Sequence, residues 1–150
     1  MTSGQRFIQY TYRVTLLFLT LTGFGQMPIF KRYYIADIPG LAWLAQFYVT
    51  HALHYFFAAL LIALVFYSGF DYLFERKKQH QISVPGIIKS IFLGLLIVSG
   101  SLMVMKNFTG TPFSPMMISM LDLTHMALCM GLLFYSLYTA MVDKRWVYIP

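Results

Sequence analysis

The run AQFYVTHALHYFFAALLIALVFYSGF, from Ala45 to Phe70, contains no Asp, Glu, Lys or Arg. An α-helix rises about 1.5 Å per residue, so this run is long enough to cross the roughly 30 Å hydrocarbon core of a bilayer with some tilt. Three more apolar runs flank it: Tyr12 to Phe30, Gly86 to Met105 and Met116 to Val142. Backbone exposed to lipid must satisfy its own hydrogen bonds, so the four runs are expected to be helices. None is amphipathic enough to lie on a membrane surface instead. The expected fold is all-α, an integral membrane four-helix bundle in a single domain, without an internal repeat or a low-complexity tract.

Composition agrees. Of 150 residues, 59% are hydrophobic and 11% are charged, where a soluble domain carries about a quarter charged. Charges left in hydrocarbon cost several kcal/mol each, which explains the deficit. The net charge of +6 does not indicate nucleic acid, because the basic residues are not gathered on a wet, groove-sized surface. The polar opening Met1 to Arg6 leads into an apolar run that ends at bulky Phe30, so this run reads as a retained span and not as a signal peptide.

Short loops rich in Lys and Arg stay cytoplasmic. Arg6, Arg13, Arg76, Lys77, Lys78, Lys89, Lys144 and Arg145 fall on one side, and only Lys31, Arg32 and Lys106 on the other. Both termini are therefore expected in the cytoplasm, with loops 31–44 and 106–115 outside. The outer loop is long for a bundle and is a place for a partner to dock. The tail from Trp146 to Pro150 has the aromatic content of an interfacial anchor.

Four histidines stand out. His51 and His54 lie near the start of the second span and His125 near the start of the fourth, while His80 lies among Lys77, Lys78 and Gln79 and reads as a solvated loop residue. With Ala45 and Met116 as entry points, His54 and His125 each lie nine residues in, about 13 to 14 Å deep. Two imidazoles at one depth on parallel spans suit a bis-imidazole b-type haem, with the flat ring between helices. The competing reading is interhelical hydrogen bonding. Ionisable side chains inside a span are functional candidates by default, which favours the haem. Ala52, Ala58, Ala59, Gly94, Gly100, Ala127 and Gly131 offer room for a macrocycle, and Lys106, Arg32 and Lys31 are the cations available to its propionates.

Cys129 is the single cysteine, so covalent haem attachment is excluded; the thiol reads as packing, as do the methionines of the third and fourth spans. His51, one turn before His54, is open to three roles: a ligand in place of His54, a propionate or second-sphere contact, or a proton acceptor at a quinone site. The second is preferred. Asp122, one turn before His125, is placed to bond a ligand's N–H, to pair with Lys106, to relay protons, or to mark a helix start. Gln26 is a further local candidate for a quinone contact.

The order of these features resembles the cytochrome b, or gamma, subunit of membrane-bound formate dehydrogenases and nickel-iron hydrogenases. Arg6-Phe-Ile-Gln-Tyr10 leading to Leu21-Thr-Gly23 is similar to the family's Arg-x-x-His-Trp before an apolar run ending in Ser/Thr-Gly. Leu53-His-Tyr-Phe-Phe57 is similar to its Leu-His-Pro-Phe-Phe, whose histidine ligates haem. Gly86-Ile-Ile-Lys89 and Ser99-Gly100 open and close the third span in the family's manner, and His125 falls where the family places the partner ligand. The second haem of that family uses histidines at positions that are Gln9 and, by spacing, Thr139 here. That haem is therefore expected to be absent.

The resemblance implies a subunit of a bacterial or archaeal cytoplasmic membrane complex. One haem, held by His54 and His125, would exchange electrons between a quinone pool and iron-sulfur or multihaem partner subunits at the outer face. Membrane lipid is the other expected partner, and nucleic acid is not. The chain shows no nucleophile constellation, metal motif or phosphate loop of its own, so catalysis would belong to partners. The alternative is a haem-free structural membrane anchor of a larger respiratory complex. A transporter or channel would require ionisable residues near the bilayer midplane and broken helices, and these spans have almost none.

Overall fold

Four long helices carry the chain: α1 (Ser3–Gly25), α2 (Phe47–Asp71), α3 (Val84–Met105) and α4 (Pro115–Met141). The computed structural model describes residues 3–27, 37–77, 81–108, 110, 112–143 and 146–148, with the backbone alone at 76 and 148. Positions 1–2, 28–36, 78–80, 109, 111, 144–145 and 149–150 lie outside the described residues, and with them Phe30, Lys31, Arg32, Lys78, His80, Lys144 and Arg145.

The chain divides into two units, Met1–Phe74 and Glu75–Pro150, and each is an antiparallel helical hairpin. In the first, Phe18 of α1 stacks on Phe57 of α2 with ring centroids 4.5 Å apart. Nearer the loop, Gly25 lies against Leu44 and Thr50. Leu44 belongs to a 3-10 turn, Ala42–Ala45, that precedes α2, and it is buried against the end of α1. At its far end α2 runs on through a π-helical turn, Tyr72–Arg76.

In the second unit, Phe92 of α3 meets Tyr135 of α4 at 6.5 Å between centroids and sits against Gly131. Serines open both helices. The Ser83 hydroxyl accepts from the N–H of Gly86, and that of Ser114 from the N–H of Met117. Proline follows within the first two helical positions of each, where its missing N–H costs nothing.

The tail folds back onto the start of α3. Gln81–Ile82 (β1) pairs antiparallel with Val147–Tyr148 (β2), and the Ser83 N–H and hydroxyl both donate to the carbonyl of Trp146. Lys89 reaches over the Trp146 ring, 5.7 Å from its centroid. Gly86 is needed here, because a Cβ on it would stand 2.3 Å from the Trp146 carbonyl oxygen.

Among the described residues few large apolar side chains are buried: Leu44, Leu61, Leu93 and Leu132. The other buried positions include Thr15, Thr22, Thr50, Ser99 and Thr139, small hydroxyl residues that let helices approach closely in a membrane protein. Most hydroxyls within the helices donate back to a carbonyl one turn earlier, as Thr20 does to Leu16 and Ser101 to Ile97, so these carry no unsatisfied polarity into oil; among the described residues the buried hydroxyl of Thr15 is the exception. Phe56, Phe66, Phe70, Ile91, Phe134 and Leu137 are exposed. A surface this apolar is incompatible with water and suited to acyl chains.

Among the described residues three helices are long and apolar enough to cross a membrane: Phe47–Glu75, Val84–Met105 and Pro115–Met141. The chain is a multi-pass α-helical membrane protein. The helix α1 is also long, at 23 residues, but Gln5, Arg6, Gln9 and Arg13 make its first half less apolar than the other three.

Candidate functional site

Thr22 and Ser99 each stand three to four residues past a carbonyl that takes their hydroxyl proton, and each is followed by glycine. The Thr22 hydroxyl lies 2.6 Å from the Phe18 carbonyl oxygen and 3.0 Å from Nδ1 of His54. The Ser99 hydroxyl lies 3.2 Å from the Leu96 carbonyl oxygen and 2.8 Å from Nδ1 of His125. The next residue makes the approach possible. A Cβ on Gly23 or on Gly100 would stand 3.4 Å from Cε1 of the corresponding imidazole, so in each hairpin the ring edge lies on a bare stretch of backbone. Seven residues after each histidine comes a buried leucine, Leu61 and Leu132.

The same rung of hydroxyl, glycine and imidazole thus occurs once in each hairpin. No repeat is expected from the sequence, and the reason is physical: the recurring elements are single residues on different helices. They are separated by 32 positions in one hairpin and 26 in the other, with unlike loops between. His54 lies seven residues after Phe47 and His125 ten after Pro115, a difference of about 4.5 Å along a helix. The preceding helices differ in the same sense, since Thr22 stands three residues before the end of α1 and Ser99 six before the end of α3. The rung is displaced as a unit.

One turn nearer the start of its helix than each histidine lies a second polar pair. In the first hairpin, His51 Nδ1 is 3.3 Å from Gln26 Oε1, and the Gln26 amide Nε2 donates to the Thr22 carbonyl oxygen at 3.3 Å. His51 is half-buried, with Phe47 stacked on one side and Tyr55 tilted against the other, 5.1 and 4.3 Å away between centroids. In the second hairpin, Asp122 pairs with Lys106.

Of the roles open to Asp122, the ion pair with Lys106 is the one formed, and the Nδ1 of His125 is held by Ser99. Lys106, expected among the propionate cations, carries this carboxylate; Lys31 and Arg32 lie outside the described residues. The space expected at Gly131 is filled by the Phe92 ring, which a Cβ there would meet at 2.7 Å, and that at Gly100 by His125 itself. Gly94 faces nothing within 4 Å. Thr139 is fully buried and its hydroxyl donates to the Ser136 carbonyl, whereas Gln9 is exposed. Among the described residues no group of three or more His, Cys, Asp and Glu gathers as a metal site.

Sequence reasoning singled out both histidines, but it did not assign Thr22 or Ser99 as their partners. The available signal was the pair of dipeptides Thr22-Gly23 and Ser99-Gly100 near the ends of α1 and α3. No family model, curated protein or solved structure matches the chain.

Proposed function

We propose that this chain is a membrane-anchor cytochrome subunit that crosses the bilayer four times with both termini in the cytoplasm. It would hold one b-type haem through His54 and His125, and pass electrons between a quinone pool and an iron-sulfur or multihaem partner at the outer face. The observation that carries this reading is the rung present in both hairpins. A histidine that ligates iron normally gives its second ring nitrogen to an oxygen acceptor, which fixes the ring's orientation. Both candidate ligands have Nδ1 beside a hydroxyl of the preceding helix, an arrangement of that kind. When bound, the haem would supply one-electron exchange, chemistry that no side chain here provides.

The residues fit the group. Two neutral nitrogens from two helices in an apolar surround are what a low-spin b-type site requires. Thr139, where the related cytochromes place a second-haem ligand, has its hydroxyl bound within its own helix, in keeping with a single haem.

His51 and Gln26 supply the quinol contact in this proposal. The Gln26 amide nitrogen faces a carbonyl, which only accepts; its oxygen therefore faces His51 and accepts the Nδ1 proton. In the neutral ring the lone pair then lies on Nε2, ready to accept a quinol hydroxyl. A propionate would need a donor at that nitrogen, so the geometry favours the quinol over the propionate for His51.

Adding a soluble quinol to the oxidised, full-length protein in lipid nanodiscs tests the function. The expected result is reduction of the bound haem, at least tenfold slower in His51→Ala. A preparation whose visible spectrum is blank, or whose haem ignores quinol, contradicts it; the first result would leave a haem-free anchor.

A further inference from the structure

Trp146 is fastened to the start of α3 by its own backbone. Its carbonyl accepts from the Ser83 N–H and from the Ser83 hydroxyl, at 3.0 and 2.9 Å, and the bare backbone of Gly86 lets that carbonyl in. The next two residues pair with Gln81 and Ile82. An indole on a tail held in this way is a fixed feature of the surface, and indoles settle at the headgroup level of a bilayer. Lys89 lies over its face, 5.7 Å from the centroid. The lysine stands five residues into α3, about 7.5 Å along the helix, at a depth from which a charged head reaches back toward the headgroups.

That ammonium lacks a counter-charge. Among the described residues, none of the chain's five Asp and Glu side chains pairs with Lys89. The Trp146 face attracts a cation but leaves its charge uncompensated. The sequence around it is basic: the stretches 75–89 and 143–146, which the clasp joins, carry six Lys and Arg against Glu75 and Asp143. We propose that Lys89 and Trp146 form a headgroup site for one anionic phospholipid, in the leaflet on the cation-rich side. The ammonium supplies charge-assisted donors to the phosphate, and the clasped indole keeps the ammonium at headgroup level. A phosphatidylcholine brings its own cation, so its phosphate is already compensated; a phosphatidylglycerol brings the negative charge that this end of the hairpin lacks. The site needs no haem and involves the second hairpin alone.

The test is lipid quenching of tryptophan fluorescence in the full-length chain. The chain has two tryptophans, so Trp43→Phe leaves Trp146 as the reporter. Phosphatidylcholine nanodiscs would contain a minor fraction of lipid brominated on its acyl chains, either phosphatidylglycerol or phosphatidylcholine. Brominated phosphatidylglycerol should act as though enriched about fivefold beside Trp146, the factor that one basic side chain near the surface contributes. Lys89→Gln should remove most of that enrichment, and Lys89→Arg should keep it. Lys77→Gln removes the same formal charge outside the clasp and should leave the enrichment as it was.

The proposal is overturned if the two brominated lipids quench Trp146 alike while Lys89 is in place, a result that depends on the folding of no Lys89 variant. It is also overturned if Lys77→Gln lowers the enrichment as far as Lys89→Gln does, because a diffuse basic surface would then be what attracts the lipid. Inorganic phosphate, added at constant ionic strength, separates a headgroup from a dissolved anion. Enrichment that survives it supports the lipid site; enrichment that it abolishes gives the site to soluble phosphate and refutes the lipid.

Discussion

His125 has two polar neighbours within a turn of it in sequence or space, and they are not equivalent. Ser99 holds its Nδ1, whereas Asp122 is turned to Lys106 and is nearly half exposed, at 47%. An ion pair in that setting contributes about 0–1 kcal/mol. Asp122→Asn should therefore leave the visible spectrum of the haem-loaded protein unchanged and alter stability by less than about 1 kcal/mol; loss of the low-spin spectrum would move the supporting role from Ser99 to Asp122. The histidines themselves should behave oppositely. His54→Ala or His125→Ala removes an axial nitrogen and should abolish the low-spin spectrum, and a normal spectrum after either change refutes the ligand assignment. The histidines were legible in the sequence because ionisable residues in apolar runs are rare. The hydroxyls were not, because a Thr or Ser in a helix ordinarily satisfies itself on its own backbone, as Thr20 and Ser101 do, and only the glycine that follows each of Thr22 and Ser99 hints at the two that also meet an imidazole.

Among the elements, α2, α3 and α4 were readable from apolar runs alone, since lipid permits little else, whereas α1 starts at Ser3, well before the apolar run that opens at Tyr12. The union of β1 with β2 was not. A pairing of two residues at each of two sites more than sixty positions apart has no periodicity to detect, and the tail's aromatics suggested an interfacial anchor. Its cause lies in close packing at Gly86, whose missing Cβ admits the Trp146 carbonyl, and in Ser83, whose N–H and hydroxyl both donate to that carbonyl. Gly86→Ala should displace the tail and destabilise the second hairpin by about 1–3 kcal/mol, the usual cost of overpacking. Limited proteolysis after Lys144 and Arg145 checks it: cleavage should quicken in the variant, and an unchanged rate means that the tail is held elsewhere. The internal likeness of the two hairpins was also hidden, because Thr22 with His54 and Ser99 with His125 resemble each other only after folding.

At the scale of the whole molecule, the apolar exterior of α2, α3 and α4 establishes a multi-pass membrane protein, while the proposed orientation rests on the distribution of cations. In a Cys129→Ser background, Gly110→Cys should react with a membrane-impermeant maleimide in intact cells, and Gln81→Cys only after the membrane is opened. The reverse pattern would invert the topology and carry the proposed electron route to the other face. The claim on which the function depends is one bis-histidine haem per chain. The most direct measurement is the haem content of the purified full-length protein together with its reduced-minus-oxidised spectrum. One b-type haem per chain with a sharp low-spin α-band is the result expected; a featureless visible region, or two haems per chain, would contradict it.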